Sequence, residues 1–300
     1  MTQTIVSNPS EKPRLARYGI KEMDEERRLR ASLKAFYERT LKAGQGAYFK
    51  LRHGQLIPTA MGRFWLAEHI KLFTGFLQLR PTDHLLDVGC GEGFYTMTLA
   101  RQAQSTIGVD MSSNILGVLQ SLKAFPAKKL TLVNSDVERL PFADGSFDKV
   151  LCSHVLEHVL DDRAVLSEIH RVLTDEGQAV LAIPLKYTPQ HHAIQVATDV
   201  ARAVLKPGKK KSRRLPPGTL NLRLVGKQAH IRHHSLQSFR ALIESEGFKV
   251  EKTVGVWFHD PRNWFVRQTQ KRALTYKLGT RLSKIWPQTG AGLVMLVSKV

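Results

Sequence analysis

The sequence predicts an α/β fold, a mostly parallel sheet with helices on both faces, on three observations. After Pro81, five short apolar runs alternate with helical stretches, which is the pattern of a sheet covered on both sides. The first run empties into a turn carrying Gly89, Gly91 and Gly93, and the second and third end in Asp110 and Asp136. Glycines and acids at strand ends suit a ligand-binding edge of such a sheet.

The elements follow in order. Residues 1–20 are polar and are expected to be a disordered tail. Residues 21–80 are expected to form a helical N-terminal cap that covers the ligand and walls a second pocket. In its first helix, Lys21 to Ala43, the apolar residues Leu29, Leu33, Phe36, Tyr37 and Leu41 recur at three- and four-residue steps. In its second, Thr59 to Leu77, Met61, Trp65, Leu66, Ile70, Phe73 and Leu77 share one face. The core, residues 81–187, holds the strands "HLLDVG", "STIGVD", "LTLVNSD", "DKVLCSH" and "QAVLAIPL". Helices are expected between them at Phe94 to Gln104, Ile115 to Ala124, Val155 to Leu160 and Asp162 to Leu173. Residues 188–230 form an insertion containing "LKPGKKKSRRLPPG". Residues 231–300 complete the core with a helix, Ser235 to Gly247, and the strands "KVEKTVGVWF" and "GLVMLVSKV", parted by a helical insertion at about 261–290.

Composition bounds the function. No apolar run approaches the roughly 18 to 20 residues of a spanning helix, and "MTQTIVSNPSEKPR" lacks the apolar stretch of a secretory signal. The cysteines are Cys90 and Cys152, too few for a disulfide framework, so a cytoplasmic location is expected. Net charge is +19. From Ala201 to His234 there are ten Lys and Arg and no acid, and from Pro261 to Val300 eight and none. Such surface attracts anionic lipid, nucleic acid or phosphorylated molecules, or merely solubilises.

At the carboxyl edge of the sheet, missing side chains let the backbone turn tightly and approach a ligand. Asp110, 21 residues past Gly89, is placed to bond ribose hydroxyls, and Asp136 to accept from an adenine amino group. The three strand ends describe an adenosine site. Its spacing is G-x-G-x-G with Asp87 ahead, not the G-x-G-x-x-G of dinucleotide proteins. S-adenosyl-L-methionine has no pyrophosphate to hold, and its ammonium group would welcome a carboxylate.

The stretches "LLDVGCGEGFYT", "IGVDMSSNIL", "NSDVERLPFADGSFDKVLCSHVLEHV" and "LSEIHRVLTDEGQAVLAIP" resemble the successive motifs of class I S-adenosylmethionine-dependent methyltransferases, in the branch of the ubiquinone and menaquinone biosynthesis enzymes. The resemblance implies a Rossmann-like sheet of seven strands ending in an antiparallel hairpin. It also implies that Asp87, Gly89, Gly91 and Gly93 cradle the methionine and ribose, with main-chain contacts from Cys90 and Glu92. Asp110 would take the ribose hydroxyls, Met111 would lie against adenine, Asp136 and Val137 would receive its edge, and Ser153 and His154 would face the methionine moiety.

A sulfonium methyl is already activated, so transfer mainly needs alignment and exclusion of water. His154 is the candidate general base for a hydroxyl acceptor. Glu157 and His158, expected to begin a helix, and Tyr187 and His191, after the fifth strand, are candidate acceptor contacts. Among the 12 histidines there is no H-E-x-x-H and no cysteine partner, so no metal is expected. "CSHV" stands where enzymes methylating base amino groups carry N-P-P-Y or D-P-P-Y. Leu274, Leu278, Leu282, Ile285 and Trp286, flanked by Lys277, Arg281 and Lys284, form a basic amphipathic stripe suited to an anionic membrane surface. The leading expectation is methyl transfer to oxygen or carbon of a small hydrophobic or lipid-linked acceptor, by a cytoplasmic protein peripheral at the membrane. A tRNA methyltransferase and a non-catalytic cofactor-binding module stay open as alternatives.

Overall fold

A computed structural model describes residues 16, 20, 23–40, 49–52, 55–58, 60–122, 125–126, 128–186, 215–227, 230–256 and 281–300. Tyr187, His191 and the run 209–214 lie outside them. The described elements are α1 (Met23–Thr40), β1 (Phe49–Arg52), β2 (Gln55–Pro58), α2 (Ala60–Leu77), β3 (His84–Val88), α3 (Phe94–Leu99), β4 (Ser105–Asp110) and α4 (Ser113–Gln120). They continue with β5 (Leu130–Asn134), β6 (Phe147–Ser153), α5 (Asp162–Val172), β7 (Leu173–Pro184), α6 (Leu236–Ser245), β8 (Phe248–Val256) and β9 (Gly292–Lys299).

Seven strands make one sheet in the order β5-β4-β3-β6-β7-β9-β8, and only β9 runs against its neighbours. The expected sheet and its terminal hairpin are therefore present. Strand order reverses between β3 and β6, which opens the ligand crevice at their carboxyl ends. The sheet is buried on both faces. One face packs Val88, Val150, Phe147 and Leu181 with Ile169, Phe239 and Phe248. The other packs Leu85, Leu151, Val180 and Val294 with Phe73, Leu77 and Leu99.

Two local departures have physical causes. Val155 to Leu160 is a turn and not a helix: His154 takes a left-handed conformation, φ 59°, and helix begins only after Asp161, whose side chain accepts from the Ala164 N–H at 3.2 Å. The short antiparallel pair β1–β2 falls inside the segment expected to be helical, with Leu51 opposite Leu56. Its period-two pattern spans only four residues a side, too short to stand out between two long helices.

The cap and the first insertion share a third cluster. Leu33 and Tyr37 of α1 pack with Ile20, Leu160, Leu220, Val225 and Ile231. Gly226 lies so close to α1 that a Cβ there would collide with the Ser32 hydroxyl. The end of the basic insertion is thus built into the wall beside α1.

Candidate active site

Asp87 is the penultimate residue of β3, 3 % exposed, and its carboxylate accepts from Thr96 Oγ1 of α3 at 2.5 Å. Burial raises its pKa to about 7, against the Thr96 bond and with the help of the nearby Asp110 charge. The glycine turn follows, with φ of 71°, 49° and 72° at Gly89, Gly91 and Gly93. Their surroundings differ. A Cβ on Gly89 would strike Val155, one on Gly93 would strike Leu119, and one on Gly91 would meet open space. Gly89 and Gly93 are glycine for packing, while a side chain at Gly91 would project into open space.

Asp110 ties the turn to β4: its carboxylate accepts from the Gly91 N–H at 3.0 Å and the Ser112 N–H at 2.9 Å. The Cys90 N–H donates to the Val109 carbonyl and the Cys90 carbonyl accepts from the Gly93 N–H, each at 2.9 Å. The main chain of Cys90 is thus engaged within the turn. Burial pushes its thiol pKa up. Met111 is packed against the α1 cluster, Val137 is buried in the core, and Glu92 is half-buried in the turn. Asp136, beyond β5, accepts from the Glu138 N–H at 2.9 Å and from Arg30 Nη1 at 3.3 Å.

Two helices close over this edge. From α1, Arg30 reaches both Asp136 and Glu138, the latter at 2.7 Å. Glu38 accepts from the Ser113 N–H at 3.1 Å, at the start of α4, and Tyr37 Oη lies 2.8 Å from His158 Nδ1. From α2, His69 sits with its ring centroid 6.3 Å from both His154 and Tyr95.

At the end of β6, Ser153 Oγ is buried with no hydrogen-bond partner among the described residues. The His154 N–H donates to the Ala182 carbonyl at 2.8 Å, and its Nδ1 is 3.2 Å from Glu157 Oε1. His158 Nε2 approaches the same oxygen at 3.5 Å. Burial alone would raise the Glu157 pKa, but His158, His154 and His230 hold it down at about 2. Glu157, His158 and His230 each offer a ligand atom within 4.8 Å of the others.

The structure thus brings together Asp87, the glycine turn, Asp110, Asp136, Ser153, His154, Glu157 and His158 along one edge. The sequence reading missed Arg30, Glu38, Glu138, His69 and His230 as members of this edge. Arg30 and Glu38 were visible only as charges on an amphipathic helix, and no local spacing says that this helix lies across β4 and β5. The residues fit S-adenosylmethionine: carboxylates for a cationic ligand, an open glycine face, and an unsatisfied hydroxyl at Ser153.

Comparison with known proteins agrees. Residues 86–181 match the family described as "Methyltransferase domain". The chain is similar to a 2-phytyl-1,4-naphtoquinone methyltransferase of Nostoc sp., 35% identical over 124 residues, 40% of this chain and 52% of that protein. It is also similar to a demethylmenaquinone methyltransferase of Symbiobacterium thermophilum, 38% identical over 121 residues, 39% of this chain and 48% of the relative. The chain spans about half the length of these relatives. A crystal structure of an S-adenosylmethionine-dependent methyltransferase from Mesorhizobium loti superposes with a TM-score of 0.51 at 18% identity, over 77% of this chain and 95% of that one. One from Methanosarcina mazei gives 0.50 at 17%, over 76% and 97%. Residues 86–181 thus match a methyltransferase domain by sequence, and the sheet has the fold of S-adenosylmethionine-dependent methyltransferases.

Proposed function

We propose that this chain transfers a methyl group from S-adenosylmethionine to oxygen or carbon of a small hydrophobic, quinone-like acceptor. The observation that carries the reading is the open face of Gly91 between Asp87 and Asp110, at the point where strand order reverses. The donor supplies an activated methyl. Asp87 and Asp110 would orient it, and His69, Tyr95 and His154 would wall the acceptor from water. His154, its Nδ1 held by Glu157, would take the acceptor proton through Nε2.

The acceptor class is supported by the names of the relatives, a 2-phytyl-1,4-naphtoquinone methyltransferase and a demethylmenaquinone methyltransferase. A peripheral position at an anionic membrane is supported by Leu282, Ile285 and Trp286, 40%, 67% and 54% exposed, next to Arg281 and Lys284. Lys284 also lines a cleft with Lys71 and Lys252. No helix among the described residues is long and apolar enough to cross a membrane.

The test is transfer of labelled methyl into a host extract separated into organic-soluble, RNA and protein fractions, with Asp110→Ala as control. Label in the organic fraction is expected. Label in ribonuclease-sensitive material would replace the quinone reading by RNA methylation, and no transfer together with intact cofactor binding would favour a non-catalytic module.

A further inference from the structure

We propose that Glu157, His158 and His230 form a binding site for a divalent transition-metal ion, with two imidazoles and one carboxylate as ligands and at least one coordination position open. This goes beyond the methyl-transfer reading and stands or falls apart from it.

The geometry is a built one. The three side chains come from two segments distant in sequence, and each brings a ligand atom to within 4.8 Å of the others. The segments are fastened together: the N–H groups of Ile231 and Arg232 both donate to the Glu157 carbonyl, at 3.0 and 3.3 Å. Arg232, itself fully buried, pins that segment through the Val159 and Leu160 carbonyls and through Asp162. His230 is therefore held beside Glu157 by main chain and not by chance of a surface loop.

Glu157 supplies the second observation. It is 1% exposed, and its Oε2 is buried with no hydrogen-bond partner among the described residues. A buried carboxylate is costly unless a cation or donors satisfy it. The groups that reach it are imidazoles: His154 Nδ1 at 3.2 Å and His158 Nε2 at 3.5 Å on the other oxygen. The His158 and His230 rings lie 4.9 Å apart, edge to face.

His158 also has the outer contact that metal-bound histidines use. Its Nδ1 lies 2.8 Å from Tyr37 Oη, so a proton on Nδ1 donated to that oxygen leaves the Nε2 lone pair pointing at Glu157. An outer hydrogen bond that fixes the tautomer is typical of imidazole ligands. Two histidines and one carboxylate leave an open position on Zn²⁺ and also suit Fe²⁺ or Mn²⁺. The sequence hid the site because its ligands are neither on one helix nor at a metal-motif spacing.

The experiment is calorimetric titration of the full chain with Zn²⁺, and titration with Co²⁺ read by its visible d–d absorption, both without methyl donor or acceptor. One equivalent bound is expected, weakened at least 10-fold by Glu157→Gln and by His230→Ala, with His170→Ala, in the last turn of α5 beside Phe248, unchanged. Absence of stoichiometric binding would overturn the proposal. So would binding that both variants retain, because the ion would then sit on other histidines. Should Glu157→Gln fail to fold, His230→Ala, which removes no buried carboxylate, decides alone.

Discussion

Replacing Gly91 by alanine separates two roles that the three glycines of the turn play. At φ 49° an L-residue is strained by about 1–2 kcal/mol, but the added methyl meets no atom within 4 Å. The fold should therefore lose only a few degrees of melting temperature. In the complex, that methyl would enter space occupied by cofactor. Overpacking of this kind costs about 1–3 kcal/mol, which is roughly 5- to 150-fold in affinity. Gly93→Ala is the opposite case: its Cβ would lie 2.5 Å from both δ-carbons of Leu119, so stability falls further while the open face is untouched. The assay is thermal melting paired with calorimetric titration of S-adenosylhomocysteine. Gly91→Ala should rank mildest in melting and severest in affinity per folded molecule. If folded Gly91→Ala binds within about twofold of the parent, the open side of the turn is not where the ligand lies, and the site assignment fails.

Asp87 makes stability depend on pH. Its folded pKa of about 7 lies above its ordinary 3.8, so between about pH 4 and 7 the folded state keeps a proton the unfolded state has lost. Stability relative to Asp87→Asn should fall as pH rises through that window, by up to about 4 kcal/mol, and be level above it. Denaturant titrations at pH 4.5 and 7.5 with no change in that difference would contradict the burial argument. The cationic ligand favours the ionised form, so its affinity should rise over the same window. Arg232→Ala removes a fully buried guanidinium that donates to the Val159 and Leu160 carbonyls and pairs with the buried Asp162, which keeps His234 Nε2 at 3.3 Å; a loss of about 3 kcal/mol is expected in chemical denaturation. Trp286→Glu should weaken sedimentation with phosphatidylglycerol vesicles at least several-fold without changing cofactor affinity; equal sedimentation would remove the membrane proposal.

What the sequence made legible was whatever is local. Strand periodicity, the glycine turn and the acids two and three strands along are all short-range patterns, and their placement at one edge follows from parallel topology. What it hid was contact between distant segments. Arg30 meets Asp136 and Glu138, Tyr37 meets His158, and His230 meets Glu157 only because α1, residues 220–227 and residues 230–231 fold onto the same edge. The turn at 155–160 was misread for a related reason. "VLEHVL" has helical composition, but the left-handed backbone at His154 and the tertiary bonds from Ile231 and Arg232 to the Glu157 carbonyl override it.

The position of β9 carries a consequence for synthesis. Residues 292–299 lie between β7 and β8 and bury six successive residues from Gly292 to Val297, yet they emerge from the ribosome after every other strand of the sheet. Until then β7 presents an open flank, and β8, whose partner in the sheet is β9, has nothing to pair with. A nascent chain in that state carries two unpaired strand edges of the sort that invite intermolecular pairing. Chaperone capture should be strongest in that interval and should end when the final strand slots in.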